Sequence, residues 1–452
     1  MSTTKLRDHL LAILKNQAGP RREFHLHVLL TSPRKSNALF PFAKPKPPRA
    51  YLQDLLVLAS EGEVGDEAGR VLVCAIEIQV YHVATTESAV VYVSKVDSTG
   101  MGAKPAPTAA MVRGVLGFYL DPRTRPITAK HVWVQLFARA QGHYLFPNSK
   151  EYEGKKWLGD TQLCAWWRRV LTRVAADVEG RVDKIGLWYM LPGQSEDEST
   201  NLLRLALGTR DVCKAKTSWV YGHPYKGDIP LPCPKSDEEN LGFYIPYFDD
   251  CPKARFLDEL AHADAPPRKR ARLEVPDSPR KRAREREGSE LRVSVDEFWE
   301  RMSFRQECVS GAVTGFFALA VSCTSAADPC SPLAPESGQV SGMFYKRVLT
   351  MLTTMSEFGR RADGVKATET VERAIRGLCE EAPVPREPVD VPKTPPRRTV
   401  ALPDVSPNPF AEPSANLEQL AGRVVAEGRA AAAATEAVEH VRVLSVRKKN
   451  KS

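Results

Sequence analysis

The densest chemistry in the chain lies at Asp249-Asp-Cys-Pro-Lys-Ala-Arg255, which gathers two carboxylates, a thiol, an amine and a guanidinium just before a helix. Such a set can take up a proton at a carboxylate or attack a carbonyl through Cys251. It can equally be a capped helix start with a solvated charge run. Trp166-Trp167 is the second candidate. Adjacent helical positions point about 100° apart, so one of the two rings must face away from the core. A tryptophan beside a cleft makes a wall for a ligand chain, and core packing of both rings is the other reading. Asp97-Ser-Thr-Gly100 reads as an Asx-type turn. His25-x-His27 places two imidazoles on one strand face, with no acidic or Cys partner in the pattern to complete a metal site.

Composition narrows the classes. The 452 residues are 42% hydrophobic and 26% charged, which excludes collagen-like, mucin-like and wholly disordered chains. The formal net charge of +9 is concentrated in two segments. Residues 266–286 carry +6 and the tail Arg442–Ser452 carries +5, leaving the remainder near −2. A folded duplex-DNA-binding face needs its positive charge on the body, so sequence-specific DNA binding is not expected. The clusters Arg268–Arg272 and Arg280–Arg286 are spaced like a bipartite nuclear import signal, with a loop touching nucleic acid or histone surfaces as the competing reading. The nine cysteines are scattered and form no C-x-x-C, which reads as free thiols in a reducing compartment. No signal peptide is read at Met1, and the longest apolar run, Gly311–Cys323, is too short to span a bilayer and reads as a buried helix. Walker A, H-E-x-x-H and G-x-S-x-G sequences are absent.

The elements that must position these residues alternate in type. Helical spacing is expected at Leu6–Leu14, Thr108–Leu120, Asp160–Val178 with Asp160 as N-cap, Ser195–Leu207, from Phe256, from Val295 through Phe317, and at Met343–Met355 and Thr368–Cys379. Strands are expected at Phe24–Leu30, Arg70–Val83, Ala89–Val93, His131–Ala138 and Lys184–Leu191, with residues 33–50 as a loop and a hairpin that the Asp97 turn closes. The pattern predicts an α/β fold. A disordered basic insertion is expected at 265–292, a Pro-rich linker at 381–416 with ten prolines between 383 and 416, and an Ala-rich helix with a basic tail at 417–452. Arg139-Ala-Gln-Gly142-His-Tyr144, after the His131 strand, nearly matches the R/Q-x-x-G-x-G/A loop that holds the coenzyme A pyrophosphate in many acetyltransferases, except at Tyr144.

Several stretches, in order, resemble one family. They are Tyr92-Val-Ser-Lys-Val-Asp-Ser-Thr-Gly100, Tyr144-Leu-Phe-Pro-Asn-Ser149, Leu163-Cys-Ala-Trp-Trp167, Gly227-Asp-Ile229, Pro252-Lys-Ala-Arg-Phe256, Phe298-Trp299 and Arg305-Gln-Glu307. The family is the fungal histone acetyltransferase of the regulator of Ty transposition type, which modifies lysine fifty-six of histone H3 and is a structural relative of CBP-type enzymes. The resemblance covers most of residues 1–320.

It implies a mixed central β-sheet surrounded by helices, built from residues 1–264 and 293–380. It implies acetyl-CoA as co-substrate, without a metal, bound by Val96, Asp97, Ser98, Phe137, Gln141, Lys156, Trp157, Leu158 and Trp166. Catalysis would involve Trp167, Asp97 and Asp250 or Cys251, and Lys253 would be autoacetylated. Trp166, Trp167, Tyr144 and Phe146 would wall the tunnel. Aligned without a gap, Cys251 falls where the family proposes its proton-accepting carboxylate, and Pro105 and Ala109 stand where some members carry basic residues. The implied setting is the nucleus, with histones H3–H4 and chaperones of the anti-silencing-function and NAP types, in nucleosome assembly, DNA damage response and transcription regulation. No membrane is involved. The reading from another class is a non-enzymatic nuclear adaptor on a degenerate acetyltransferase fold.

Overall fold

The structure is a computed structural model describing residues 5–17, 22–63, 69–207, 216–233, 240–263, 291, 293–305, 308, 312–324 and 338–380. The expected basic insertion, apart from Leu291, and the expected Pro-rich linker and C-terminal helix lie outside the described residues.

The chain opens with α1 (Leu6–Lys15), whose Leu6, Leu10 and Leu14 bury one stripe. β1 (Arg22–Leu30), β2 (Arg34–Ser36), β3 (Ala50–Glu63), β4 (Val71–Val83) and β5 (Ser88–Ser98) follow, then α2 (Thr108–Leu120) and β6 (His131–Ala138). Next come α3 (Asp160–Val178), β7 (Lys184–Met190), α4 (Glu196–Leu207), β8 (Trp219–Tyr221) and α5 (Pro252–Ala263). The described residues end with α6 (Val295–Met302), β9 (Gly315–Ser322), α7 (Gly342–Thr354) and α8 (Arg361–Glu380). The strands form one mixed sheet in the order β1-β3-β4-β5-β6-β9-β7-β8, with β2 added to β3. β5–β6 and β7–β8 are parallel and the other pairs antiparallel.

Both faces of the sheet are covered. One face carries α1, α2 and α3 over residues such as Val91, Val134 and Leu319. The other carries the aromatic stretch around Tyr225–Phe248, α5 and α6 over Trp133, Phe316 and Ala320. This double burial explains the largest departure from expectation. The apolar run expected as a buried helix is a strand among its described residues: 315–322 are β9, lying between β6 and β7. Phe316, Ala318 and Ala320 face one layer while Phe317, Leu319 and Val321 face the other. A strand buried on both sides shows no polar alternation, so its apolar run mimics a buried helix. The helix from Val295 therefore stops at Met302.

For the same reason β3 escapes a reading by periodicity, because Leu55 to Ala59 are all buried and Gln53 and Asp54 interrupt the run. Its Asp54 is balanced by Arg34 at 2.5 Å on β2, within the segment expected to be a loop. Two helix starts also differ. Gly159, not Asp160, precedes α3, and its N–H is taken by the Gln162 side chain at 3.3 Å. α5 begins at Pro252, a residue suited to the first helical position because it has no N–H to leave unpaired.

Candidate active site

β5 and β6 pair in parallel only from Ser88↔His131 to Val93↔Leu136. Beyond that point β5 continues to Ser98 against β4 alone, while β6 runs to Ala138 against β9. The sheet therefore opens between them. A bulge helps to part the strands: Glu77 pairs with Lys95 and Ile78 with Val93, leaving Ser94 as the extra residue. Bulges bend a strand and re-aim its side chains. The opening is a cleft of about 320 Å³, within the range of small-molecule sites.

The cleft is lined by Val93 to Ser98 of β5 and by Leu136, Phe137 and Ala138 of β6. Leu163, Trp166 and Trp167 of α3 form another side, and Pro107, Thr108 and Ala109 bring in the start of α2. Lys155, Lys156, Trp157 and Leu158 complete the wall, with Gln141 and Tyr144. Trp166 and Trp167 meet edge to face, with centroids 4.7 Å apart, so both rings border the cleft although Trp167 is buried. Trp157 stands exposed at its mouth. Phe146, expected in the wall, is not there: it is fully buried and packs against Phe358 at 4.8 Å.

Asp97 organises these segments. One carboxylate oxygen accepts the N–H groups of Tyr144, Leu145 and Phe146 at 2.7, 2.9 and 3.1 Å. The other accepts Lys155 Nζ and the Ser98 N–H, both at 2.8 Å. Each Asp97 oxygen is thus already engaged, which gives this side chain the work of an anchor. Gly100, at φ +77°, lets the chain leave β5, and a Cβ there would fall 2.5 Å from the Lys155 Cα. Only glycine meets both demands. The Tyr144 hydroxyl donates to the Arg139 carbonyl, and burial pushes its phenol up to about 12, so it stays protonated.

The Asp249–Arg255 cluster divides. Asp250 is exposed, and its carboxylate accepts the Ser94 hydroxyl at 2.6 Å, with Lys95 Nζ at 3.7 Å. Lys95 is held in turn by Glu77 at 2.7 Å. Asp250 therefore reaches the rim of the cleft through the bulged residue. Stacking of Phe248 on Tyr92, at 3.8 Å and 4°, fixes the loop that carries it.

Cys251 is buried and absent from the cleft lining; burial pushes its thiol up to about 11, so it is protonated at neutral pH. Lys253 is also buried, near the rings of Phe316 and Trp299 at 5.5 and 5.9 Å, and burial lowers its amine pKa. The two histidines read together are separately engaged: His25 Nε2 lies 2.7 Å from Glu23 and His27 Nε2 3.6 Å from Glu372. Ser94 and Lys95 stood inside the Tyr92–Gly100 stretch without a role, and Lys155 was visible only as a neighbour of Lys156. The bulge and the Asp97 contacts give them their places.

Comparison with known proteins agrees with this architecture. The family model of the histone acetyltransferase KAT11-type domain matches residues 10–121 and 122–376. The histone acetyltransferase rtt109 of Aspergillus flavus is 33% identical over 279 residues, covering 56% of this chain and 45% of the relative. That of Schizosaccharomyces pombe is 30% identical over 234 residues, covering 51% and 52%. The chain thus spans about half the length of the curated relatives it matches. The crystal structure of Rtt109 from Aspergillus fumigatus shares the fold, with a TM-score of 0.62 at 24% identity over 83% of this chain and 96% of that one. With its family model matched across nearly all the described residues, the chain belongs to the KAT11-type histone acetyltransferase family.

Proposed function

We propose that this protein transfers the acetyl group of acetyl-CoA to lysine side chains of histone H3, lysine fifty-six foremost. The observation that carries this reading is the opened β5–β6 pair. It leaves strand backbone from Ser94 to Ser98 without β6 pairing, the Ser98 N–H turning to the Asp97 carboxylate, beside two tryptophans. Such an edge can hydrogen-bond an extended amide-bearing arm as an added strand would, and Val96, Asp97 and Ser98 supply it. Phe137, Leu158, Trp166 and Trp167 enclose the thioester end and exclude water, which would otherwise hydrolyse it. Gln141, Lys156 and Trp157 border the outer part.

The substrate amine must first lose a proton, since a free lysine has a pKa of about 10.4. Asp250 is the proposed acceptor, with the Ser94 hydroxyl between it and the cleft. The neutral nitrogen then bonds to the thioester carbonyl carbon, the carbon–sulfur bond breaks, and the second proton that the nitrogen sheds balances the one the leaving sulfur takes up. Cys251 is not a relay for the acetyl group, because its thiol is protonated and out of the cleft. Lys253 is proposed as a site of self-acetylation, which would remove an amine charge that burial disfavours. No metal takes part. The protein is proposed to act in the nucleus on H3–H4 presented by chaperones of the anti-silencing-function and NAP types, during nucleosome assembly, DNA repair and transcription.

The test is to incubate the purified chain with acetyl-CoA and chaperone-bound H3–H4, then map acetylated lysines by mass spectrometry. Acetylation of histone H3 by the wild type, abolished in Trp167→Ala, is expected. Chaperone binding without any transfer would overturn the enzyme reading and leave the adaptor.

A further inference from the structure

The stretch 99–107, between β5 and α2, forms one wall of the cleft through Gly100, Gly102, Lys104, Ala106 and Pro107, and it has no helix or strand of its own. A buried ion pair from the sheet edge holds it. Arg22 opens β1, Glu61 lies near the end of β3, and their side chains, 5% and 6% exposed, meet at 3.4 Å. Arg22 donates from Nη1 to the Ala103 carbonyl and from Nη2 to the Pro105 carbonyl, both at 2.9 Å. Glu61 accepts the Ala103 N–H at 2.8 Å. Gln17, just after α1, donates to the Ala106 carbonyl at 3.3 Å. Gly102 packs so closely that a Cβ would lie 2.7 Å from the Glu61 carboxylate.

None of Arg22, Glu61 or Gln17 lines the cleft. The carbonyl oxygens of residues 103, 105 and 106 are therefore drawn toward groups outside it. The cleft side keeps the Lys104 side chain and the first residues of α2, where the helix dipole is positive. A buried ion pair is a poor stabiliser for the desolvation it costs. What this pair supplies is direction.

We propose that Arg22 and Glu61 are positioning residues for the acyl donor: Arg22 turns the Ala103 and Pro105 carbonyls out of the cleft and Glu61 fixes the Ala103 N–H and the Arg22 side chain, so that the donor's phosphates meet Lys104 and the start of α2. This rests on reading the cleft as the acetyl-CoA site.

The experiment compares two donors carrying the same thioester, acetyl-CoA and S-acetylpantetheine, which lacks the phosphates. The variant is the full-length double substitution Arg22→Met with Glu61→Leu, which removes both charges of the pair together and should fold. The KM for acetyl-CoA is expected to rise about tenfold, the scale of one lost charge-assisted contact, with kcat and the KM for S-acetylpantetheine unchanged. Arg22→Lys, still able to reach one carbonyl, should fall between. An unchanged KM for acetyl-CoA, or equal losses for both donors, overturns the proposal. If the wild type transfers acetyl from neither donor, the proposed function fails separately. The positioning role is then read by calorimetric titration with coenzyme A, where equal behaviour of wild type and double variant overturns it.

Discussion

At the scale of residues, Asp97 carries the heaviest duty. Its removal in Asp97→Ala would strand four backbone N–H groups and take one partner from the buried Lys155 ammonium. A cost of about 3 to 5 kcal/mol in urea denaturation is expected, with faster hydrogen exchange at residues 144–146. Asp97→Asn, which keeps one acceptor oxygen, should cost less. Cys251 makes the opposite prediction. Cys251→Ala should leave the transfer rate and its pH profile unchanged, whereas Asp250→Asn should lower the rate. The motif containing Asp97 was legible in the sequence, but its task was not. An Asx turn and a five-donor anchor look alike until residues 144–146 and 155 are folded onto it.

At the scale of elements, α8 is stapled to the sheet by Glu372. Its carboxylate accepts Ser60 Oγ at 2.5 Å and Arg70 Nη2 at 2.7 Å, beside His27. Thr368, one turn earlier, accepts the Leu72 N–H at 2.8 Å. Burial alone would raise the acid, but the nearby His27 imidazole and the hydrogen bonds from Arg70 and Ser60 outweigh it and hold the carboxyl down at about 2. A depressed folded pKa contributes stability that is full above the unfolded value of 4.5 and is lost as pH falls toward 2. The loss should be roughly 3 kcal/mol, and Glu372→Gln should flatten the acid limb of Tm against pH. Gly100→Ala tests the joint between the two cleft walls: the added methyl meets the Lys155 backbone, so coenzyme A affinity should fall about tenfold or more in calorimetry. Amphipathic elements were legible because one face meets water. α1 and α3 lie where spacing puts them. Dry strands are harder: β4 and β6 were still read from their β-branched and aromatic residues, whereas the small-residue run of β9 passed for a helix and the polar Gln53 and Asp54 broke up β3.

At the scale of the whole molecule, β9 joins two parts of the sheet. β6 and β7 do not pair with each other; each pairs with β9, whose Leu319 is fully buried. Leu319→Ala should cost about 2 to 5 kcal/mol, and β9 amides should exchange only on global unfolding. A chemistry read from residues 92–167 thus depends on a strand about 150 residues downstream, a pairing that local spacing cannot announce. That connectivity sets a timetable for synthesis. While the ribosome is still making the segment before Gly315, the β1–β6 ladder and the β7–β8 pair are complete in sequence but have nothing to join them. The free sides of β6 and β7 must wait as open edges, and the nascent chain carries an unsealed seam beside its future cleft. A chain stopped short of residue 315 should therefore behave as an aggregation-prone half-sheet, and extension past Ser322 should close it.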